Sequence, residues 1–328
     1  MRAFINGTGT FLPKRVVSNA DLAEQLHLDP AQIFKSSGIR ERRWADKRET
    51  TSSLATAALK QAVDNAGIDE SDVDYLLLGT MTADRFIPGS SPAVQVGLGL
   101  REIPCLDIRA ACCNLLYGLQ VARALVASGV AHDVAISVAE IQSRFLDLSP
   151  FAATTSMLFG DGAAAVILTS EPGEGALEVI DVFLATDGKY VDDLGMRSPG
   201  SEFGTGSEPL DCFPRMVGQS VILQASRRMV AASRTVLERN DLTVDDVSWL
   251  VPHQANANLL AQVARGLGVK EDGKIVSVIE KTGNTSSASM GIALDKLRRQ
   301  GTLQSGDYVL MPAFAAGFTW GAGLCRVV

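Results

Sequence analysis

The chain has 328 residues, of which 46% are apolar, 20% charged and only 6% aromatic. That length is about twice a ~150-residue domain, so two domains or one duplicated unit are expected, and the low charge excludes general disorder. A net charge of −7, from 30 Lys and Arg against 37 Asp and Glu, argues against nucleic acid as a partner.

The first strand is followed by Gly7-Thr8-Gly9, but position 12 is Leu where a phosphate-binding fingerprint has its third Gly. Tyr75 to Thr80 then reads as a strand, Ser91 to Leu100 as a helix, Cys105 to Ile108 as a strand, and Cys112 to Ser128 as a long apolar helix. This alternation is that of α/β layering. A strand from Ala163 to Leu168 runs into Glu171-Pro172-Gly173-Glu174-Gly175, which sets the expected halves at 1–172 and 173–328. The segment Gly188 to Pro214 is polar and rich in Gly and Pro, and is expected as a surface loop. Val247 to Val251 reads as a strand and Ala288 to Arg299 as a helix. The halves echo each other at an offset of 174: Ala57-Ala58, Ile68, Asp72-Val73 and Tyr75-Leu76-Leu77 match Ala231-Ala232, Leu242, Asp246-Val247 and Trp249-Leu250-Val251. Two similar units around an internal dyad are expected.

No run approaches the ~18 apolar residues of a membrane span, and Met1 to Pro13 has no basic segment leading into a long apolar run, so the expected location is the cytoplasm, away from the membrane. Cys105, Cys112, Cys113, Cys212 and Cys325 are odd in number and scattered, as thiols are and disulfide frameworks are not. His27, His132 and His253 are far apart and no CxxC or HxxxH spacing occurs, so no metal site is expected.

Cys112 stands where a strand passes through Ala110-Ala111 into a helix. Unpaired N–H groups and the positive helix end favour a thiolate there, while a small buried hydrophobe is the plainer role. Only one of Cys112 and Cys113 should face a site, because neighbours on a helix do not share a face. His253 emerges in Pro252-His253-Gln254-Ala255-Asn256 at the end of a core strand, where ligands gather in α/β folds, and a core histidine bonded to a carbonyl is the alternative. Asn284, in Lys281-Thr282-Gly283-Asn284-Thr285-Ser286-Ser287, precedes a helix and suits an N-cap as well as a site.

Taken in order, AACxxxxxGL, VPHQAN, GNTSSAS and AFAAGFTWGA closely resemble the β-ketoacyl-acyl carrier protein synthase III group of the thiolase superfamily, as do Gly38-Ile39-Arg40-Glu41-Arg42 and Phe159-Gly160-Asp161-Gly162-Ala163. The resemblance implies a thiolase-like αβαβα five-layer fold of two similar halves. It places the nucleophile on Cys112, the decarboxylating pair on His253 and Asn284, and the oxyanion hole on the N–H groups of Cys112 and Ala316. It implies an acyl thioester loaded on Cys112, then decarboxylative Claisen condensation with a malonyl thioester, in fatty acid or secondary-metabolite biosynthesis. The substrates would be acyl-CoA or an acyl-carrier thioester with malonyl-acyl carrier protein or malonyl-CoA. No cofactor is implied, and the chain would act as a homodimer. Ile87 matches the residue that reaches into the neighbouring subunit's acyl pocket.

The sequence departs from the family where the CoA is gripped. Gln32, Ser36 and Ala153 stand for an adenine-stacking Trp and two Arg, and Leu223 and Asn258 replace basic positions that dock the carrier, with Arg227, Arg228 and Arg265 nearby. A pathway-specific relative fits this better than an enzyme that starts fatty acids from acetyl-CoA. Arg85 and Arg109 would either pair with a primer carboxylate or, more simply, form ion pairs. A thiolase running the reverse chemistry needs a second cysteine, which Ala313 to Gly321 lacks. The remaining alternatives are an acyltransferase that passes the Cys112-bound acyl group to a hydroxyl or amine, and an inactive partner subunit.

Overall fold

The computed structural model describes residues 2–202, 204, 212–269 and 272–328. Of the polar loop expected from Gly188 to Pro214, residues 203 and 205–211 lie outside the described residues. In chain order the elements are β1 (Phe4–Phe11), β2 (Arg15–Ser18), α1 (Asn19–Leu26), α2 (Pro30–Ser37), β3 (Glu41–Trp44) and α3 (Thr51–Ala66). There follow β4 (Tyr75–Gly79), α4 (Ser91–Leu98), β5 (Cys105–Ile108), α5 (Asn114–Ala127), β6 (Asp133–Glu140), α6 (Ala153–Ser156) and β7 (Gly162–Thr169). Next come β8 (Leu177–Thr186), β9 (Leu194–Gly195), β10 (Arg215–Met216), α7 (Gly218–Glu238), β11 (Val247–Leu250) and α8 (Ala257–Leu267). The chain ends with α9 (Ile279–Thr282), α10 (Ser289–Arg299), β12 (Tyr308–Ala315) and β13 (Thr319–Val327).

A strand turns successive side chains to opposite faces, and this period of two builds the layers. Leu77, Val134, Ile136, Val138, Ala164 and Val166 face inward onto Leu115, Leu116 and Leu119 of α5 and Ala293 and Leu294 of α10. Their neighbours Leu76, Leu78, Ala135, Ala163 and Ala165 face outward onto Leu54, Ala58, Leu59 and Ala62 of α3. In the second half Val309 and Met311 join the inner layer, while Leu310 and Phe314 meet Met229 and Val236 of α7 and Val263 of α8. Helix, sheet, helix, sheet and helix therefore alternate. Truncating a fully buried leucine of α5 to Ala costs roughly 2–5 kcal/mol in a core this close-packed.

The strands run β11-β12-β13-β8-β1-β7-β6-β4-β5, joined at the centre by pairing of Phe4 with Glu178 and Ile5 with Leu177. Outward from that joint β1, β7, β6 and β4 repeat as β8, β13, β12 and β11, with parallel pairing of β4 to β6 and of β11 to β12. The offset seen in sequence recurs in detail. Asp69 and Asp72 form a capping box over the short turn before β4, and Thr243 and Asp246 form its counterpart before β11.

Gly7 and Gly9 serve packing. A Cβ on them would lie 2.0 Å from the Ala62 carbonyl oxygen and 2.2 Å from that of Ala58, so their absence lets α3 rest directly on β1. Thr8 and Thr10, on the opposite face, donate to Asp295 of α10 at 2.8 and 3.1 Å. β1 thus ties the outer helix layer to the inner one.

A cap of α1, α2, the antiparallel pair of β2 and β3 and residues 146–158 covers one end. Arg42 is fully buried within it and donates to the Val17 carbonyl, to Asn19 and, at 2.7 Å, to the Met157 carbonyl. Burial lowers the Arg42 pKa to about 10. At the far edge of the sheet β5 has one open side, and Leu106 on it and Phe86, Ile87 and Val96 nearby in sequence are exposed. Among the described residues no helix is long and apolar enough to cross a membrane.

Candidate active site

Cys112 lies in a short turn, Ala111–Cys113, that precedes α5, so the helix begins at Asn114 and not at Cys112 as its apolar run suggests. Ala111 opens the turn with a left-handed φ of 49°, which side chains other than Gly rarely adopt. Asn114 fastens it by accepting the Ala110 N–H at 2.6 Å. As expected, the adjacent cysteines part: Cys113 is fully buried beside the Thr319 carbonyl, while Cys112 keeps some solvent access.

Burial opposes the ionised sulfur that the sequence position suggests. Enclosure by protein pushes the Cys112 thiol up to about 11, and the charge of nearby Glu140 adds to that, against a partial offset from the Ser286 hydroxyl. The helix whose positive end favours a thiolate starts two residues later, at Asn114, while burial raises the thiol pKa.

His253 follows β11, which ends at Leu250, and its N–H donates to the Pro312 carbonyl at 2.9 Å. The residue is 2% exposed, and burial lowers the imidazole pKa to about 4, so the ring is neutral at pH 7. Its Nδ1 lies 2.7 Å from Ser289 Oγ, which also accepts the Gln254 N–H at 3.1 Å. With that acceptance made, the serine proton is available to Nδ1, and the favoured tautomer presents an Nε2–H donor.

Asn284 is not the N-cap of α10; Ala288 occupies that position. Its backbone pairs with the cap, the Asn284 N–H donating to the Leu158 carbonyl at 2.8 Å and the Gly160 N–H donating to the Asn284 carbonyl at 3.0 Å. Gly283 makes the approach possible, with a φ of 63° and a position where a Cβ would sit 2.9 Å from the Leu158 oxygen. Asn284 Oδ1 accepts the Ser286 N–H at 2.8 Å, which leaves its NH2 group to donate elsewhere.

These groups converge on one segment. Cys112 Sγ lies 3.5 Å from Ser286 Oγ, Asn284 is bonded to the Ser286 N–H, and His253 is bonded to Ser289 one turn later. Ala316 lies in the tight turn between β12 and β13, and among the described residues no hydrogen bond takes its N–H. A thiol and two neutral polar side chains are thus anchored on one segment, residues 284–289.

Other expected positions take no part in these hydrogen bonds. Ile87 is 78% exposed, on the segment before α4. Arg85 and Arg109 are exposed, and among the described residues neither forms an ion pair. Gln32 and Ser36 are exposed on α2, and Ala153 is buried in the cap. Ser286, Ser289 and Glu140 were missed by sequence reasoning. The signal for Glu140 was a single carboxylate closing the run Val134 to Ala139, which is apolar except for Ser137.

The chain matches two sequence profiles of 3-oxoacyl-[acyl-carrier-protein] synthase III, one over residues 106–188 and its C-terminal counterpart over residues 237–327. It is 40% identical over 325 residues to the β-ketoacyl-[acyl-carrier-protein] synthase III of Rhizorhabdus wittichii, covering 99% of both chains. The crystal structure of 3-oxoacyl-(acyl carrier protein) synthase III from Pseudomonas aeruginosa superposes with a TM-score of 0.91 at 34% identity, covering all of both chains. A priming β-ketosynthase from a polyketide biosynthetic pathway superposes with a TM-score of 0.89 at 33% identity, over 99% of this chain and 96% of that one. With that agreement in sequence and in thiolase-like fold, the chain belongs to the 3-oxoacyl-[acyl-carrier-protein] synthase III family of condensing enzymes.

Proposed function

We propose that this enzyme loads an acyl group from a thioester onto Cys112 and condenses it with a malonyl thioester, releasing carbon dioxide and a β-ketoacyl thioester. Attack by sulfur on the primer carbonyl builds an oxyanion that the N–H groups of Cys112 and Ala316 are suited to hold. The primer thiol then leaves. In the second half-reaction the malonyl thioester carbonyl accepts from His253 Nε2–H and the Asn284 NH2, and the enolate formed as carbon dioxide departs attacks the acyl thioester on Cys112. Both donors are neutral, and they are aimed at negative charge that builds on the carbonyl oxygen as carbon dioxide departs. The observation that carries this reading is the convergence of Cys112, Asn284 and His253 on residues 284–289. Thioesters bring the acyl groups already activated and decarboxylation generates the carbanion, so the chemistry needs no metal or organic cofactor.

The primer reaches the site on CoA or on a carrier protein, and malonyl-acyl carrier protein or malonyl-CoA supplies the extender. Gln32 and Ser36 offer neither an aromatic plate nor a cation for a nucleotide, which supports a primer recognised by its acyl chain or carrier. Such a role lies in a dedicated pathway beside primary fatty acid synthesis. The open edge of β5, with Leu106, Val96, Phe86 and Ile87 exposed, supports a homodimer in which Ile87 contributes to the partner's acyl pocket. The five free cysteines suit the reducing cytoplasm, and the halves are taken as 1–172 and 173–328. The test is to supply malonyl-acyl carrier protein with a panel of acyl thioesters and follow carbon dioxide and β-ketoacyl product together. Transfer of the acyl group to a hydroxyl or amine, with no carbon dioxide from any malonyl donor, would make the enzyme an acyltransferase instead.

A further inference from the structure

Glu140 has no part in the chemistry described so far, yet it is fully buried at the end of β6 against the turn that carries Asn284 and Ser286. Its carboxyl accepts the Met81 N–H at 3.2 Å, Thr82 Oγ1 at 3.0 Å, Gln142 Nε2 at 3.3 Å, Ser287 Oγ at 2.8 Å and Ser286 Oγ at 3.4 Å. The same Ser286 hydroxyl lies 3.5 Å from Cys112 Sγ. Sulfur, hydroxyl and carboxyl thus form a continuous path in which one hydroxyl touches both acids. The groups facing the carboxyl from residues 81–82, from 142 and from Ser286 and Ser287 are neutral, so Cys112 is the titratable group at the other end of the path.

Charge economy gives this path a direction. Burial raises the Glu140 carboxyl to about 7 and the Cys112 thiol to about 11, so the enclosure resists a second anion. Loss of the thiol proton to solvent beside an ionised Glu140 would place two negative charges on either side of one hydroxyl. Movement of that proton onto Glu140 makes the nucleophile while the site keeps a single charge. His253 is poorly placed to compete, because its Nδ1 is held by Ser289 and its other nitrogen is the proposed donor to the malonyl carbonyl.

We propose that Ser286 and Glu140 together take the proton of Cys112 when the primer is loaded and return it when the product leaves. The inference rests on the reading of Cys112 as the acylated residue. In the loading step the S–H bond of Cys112 breaks and its proton passes to Ser286 Oγ, while the hydroxyl proton of Ser286 passes to Glu140 Oε1. The electron pair left on sulfur forms the bond to the primer carbonyl carbon. Collapse of the tetrahedral intermediate breaks the bond to the primer thiol, whose sulfur keeps its pair and takes a proton from solvent. Glu140 is then a neutral acid throughout the life of the acyl-enzyme. When the carbanion attacks the acyl group, the Cys112 sulfur leaves with its pair and regains the proton from Glu140 through Ser286. Ser286 touches the reacting sulfur and is the catalytic residue of the pair; Glu140 acts through it.

The test is the pH dependence of Cys112 alkylation by iodoacetamide, read by peptide mass spectrometry on the intact enzyme, Glu140→Gln and Ser286→Ala. Ala111 adopts the same φ of 49° in the matching turn, so alanine suits position 286. The wild-type rate should rise through a midpoint near 7 and level off, while both variants should react about 10²-fold more slowly at pH 7.5 and keep rising into the alkaline range. A wild-type profile with no midpoint below 9 would overturn the proposal, even if neither variant folds. Folded variants that keep the wild-type midpoint and a rate within threefold would do the same. Acylation with a thioester primer is mapped in parallel. Acyl groups found only away from Cys112 overturn the functional reading itself, whereas normal acylation at Cys112 with unchanged variant profiles overturns the relay alone.

Discussion

Ala111, opening the turn before α5, and Ser286, opening the turn before α10, share a left-handed φ of 49° and are followed at the same spacing by the first residue of a buried helix. Near-equal backbones carry different work. In the first half Asn114 folds back onto the Ala110 N–H, so the turn is closed on itself and presents a single reactive atom, Cys112 Sγ. In the second half the matching residue, Ser289, reaches out to Gln254 and His253, while Ser286 and Ser287 reach Glu140. One copy of the device displays the proposed nucleophile, and the other bonds to His253, Gln254 and Glu140. A duplicated fold can hold a nucleophile against its donors because both turns meet in the inner helix layer that the halves share.

Removal of the displayed atom should have the largest effect. Cys112→Ala should lower condensation by about 10³-fold or more, read as β-ketoacyl product formed per minute. Disturbing the two proposed donors should cost less and divide the two half-reactions. His253→Ala or Asn284→Ala should slow carbon dioxide release by about 10²–10³-fold, with Cys112 acylation within tenfold of wild type by rapid-quench mass spectrometry. Equal loss in both half-reactions would erase the division of labour between the turns.

The buried imidazole gives a third handle. Its pKa falls from 6.5 unfolded to about 4 folded, so between those values the unfolded state binds the extra proton. The stability conferred by keeping His253 neutral is complete above pH 6.5 and is lost as pH falls toward 4, by about 3 kcal/mol in all. Glu140 has the opposite sign, its stabilisation being complete below 4.5 and lost as pH rises through about 7. Urea unfolding of wild type and His253→Gln across pH 4 to 7 should therefore diverge on the acid side, the variant losing less. The smallest effect should come from the backbone device itself. Ala111→Val should destabilise by about 1–3 kcal/mol, because a β-branched residue resists the left-handed region, while Ala111→Gly should be neutral or slightly stabilising.

The sequence made the outer parts of this design readable and hid the inner ones. The offset of 174 recovered α3 with α7 and β4 with β11, because those elements kept Ala-rich helices, acidic caps and apolar strands in register. It did not reveal the match of α5 with α10, where Ala111-Cys112-Cys113-Asn114 faces Ser286-Ser287-Ala288-Ser289 and residue identities have parted with function. Motif order picked out Cys112, His253 and Asn284, and each of them contacts residues 284–289. The burial of Cys112 was not legible, since it comes from distant segments, and it opposes the thiolate that a local helix end favours. Glu140 and Ser289 were invisible for a related reason: each acts through contacts more than thirty residues away in the chain.

The most direct test follows a single acyl group by peptide mapping, first after mixing the enzyme with an acyl thioester and then after adding the malonyl thioester. The acyl mass should appear on the peptide containing Cys112 and disappear on malonyl addition, with one carbon dioxide released for each acyl group discharged. An acyl mass on any other residue, or discharge from Cys112 without carbon dioxide, would contradict the account.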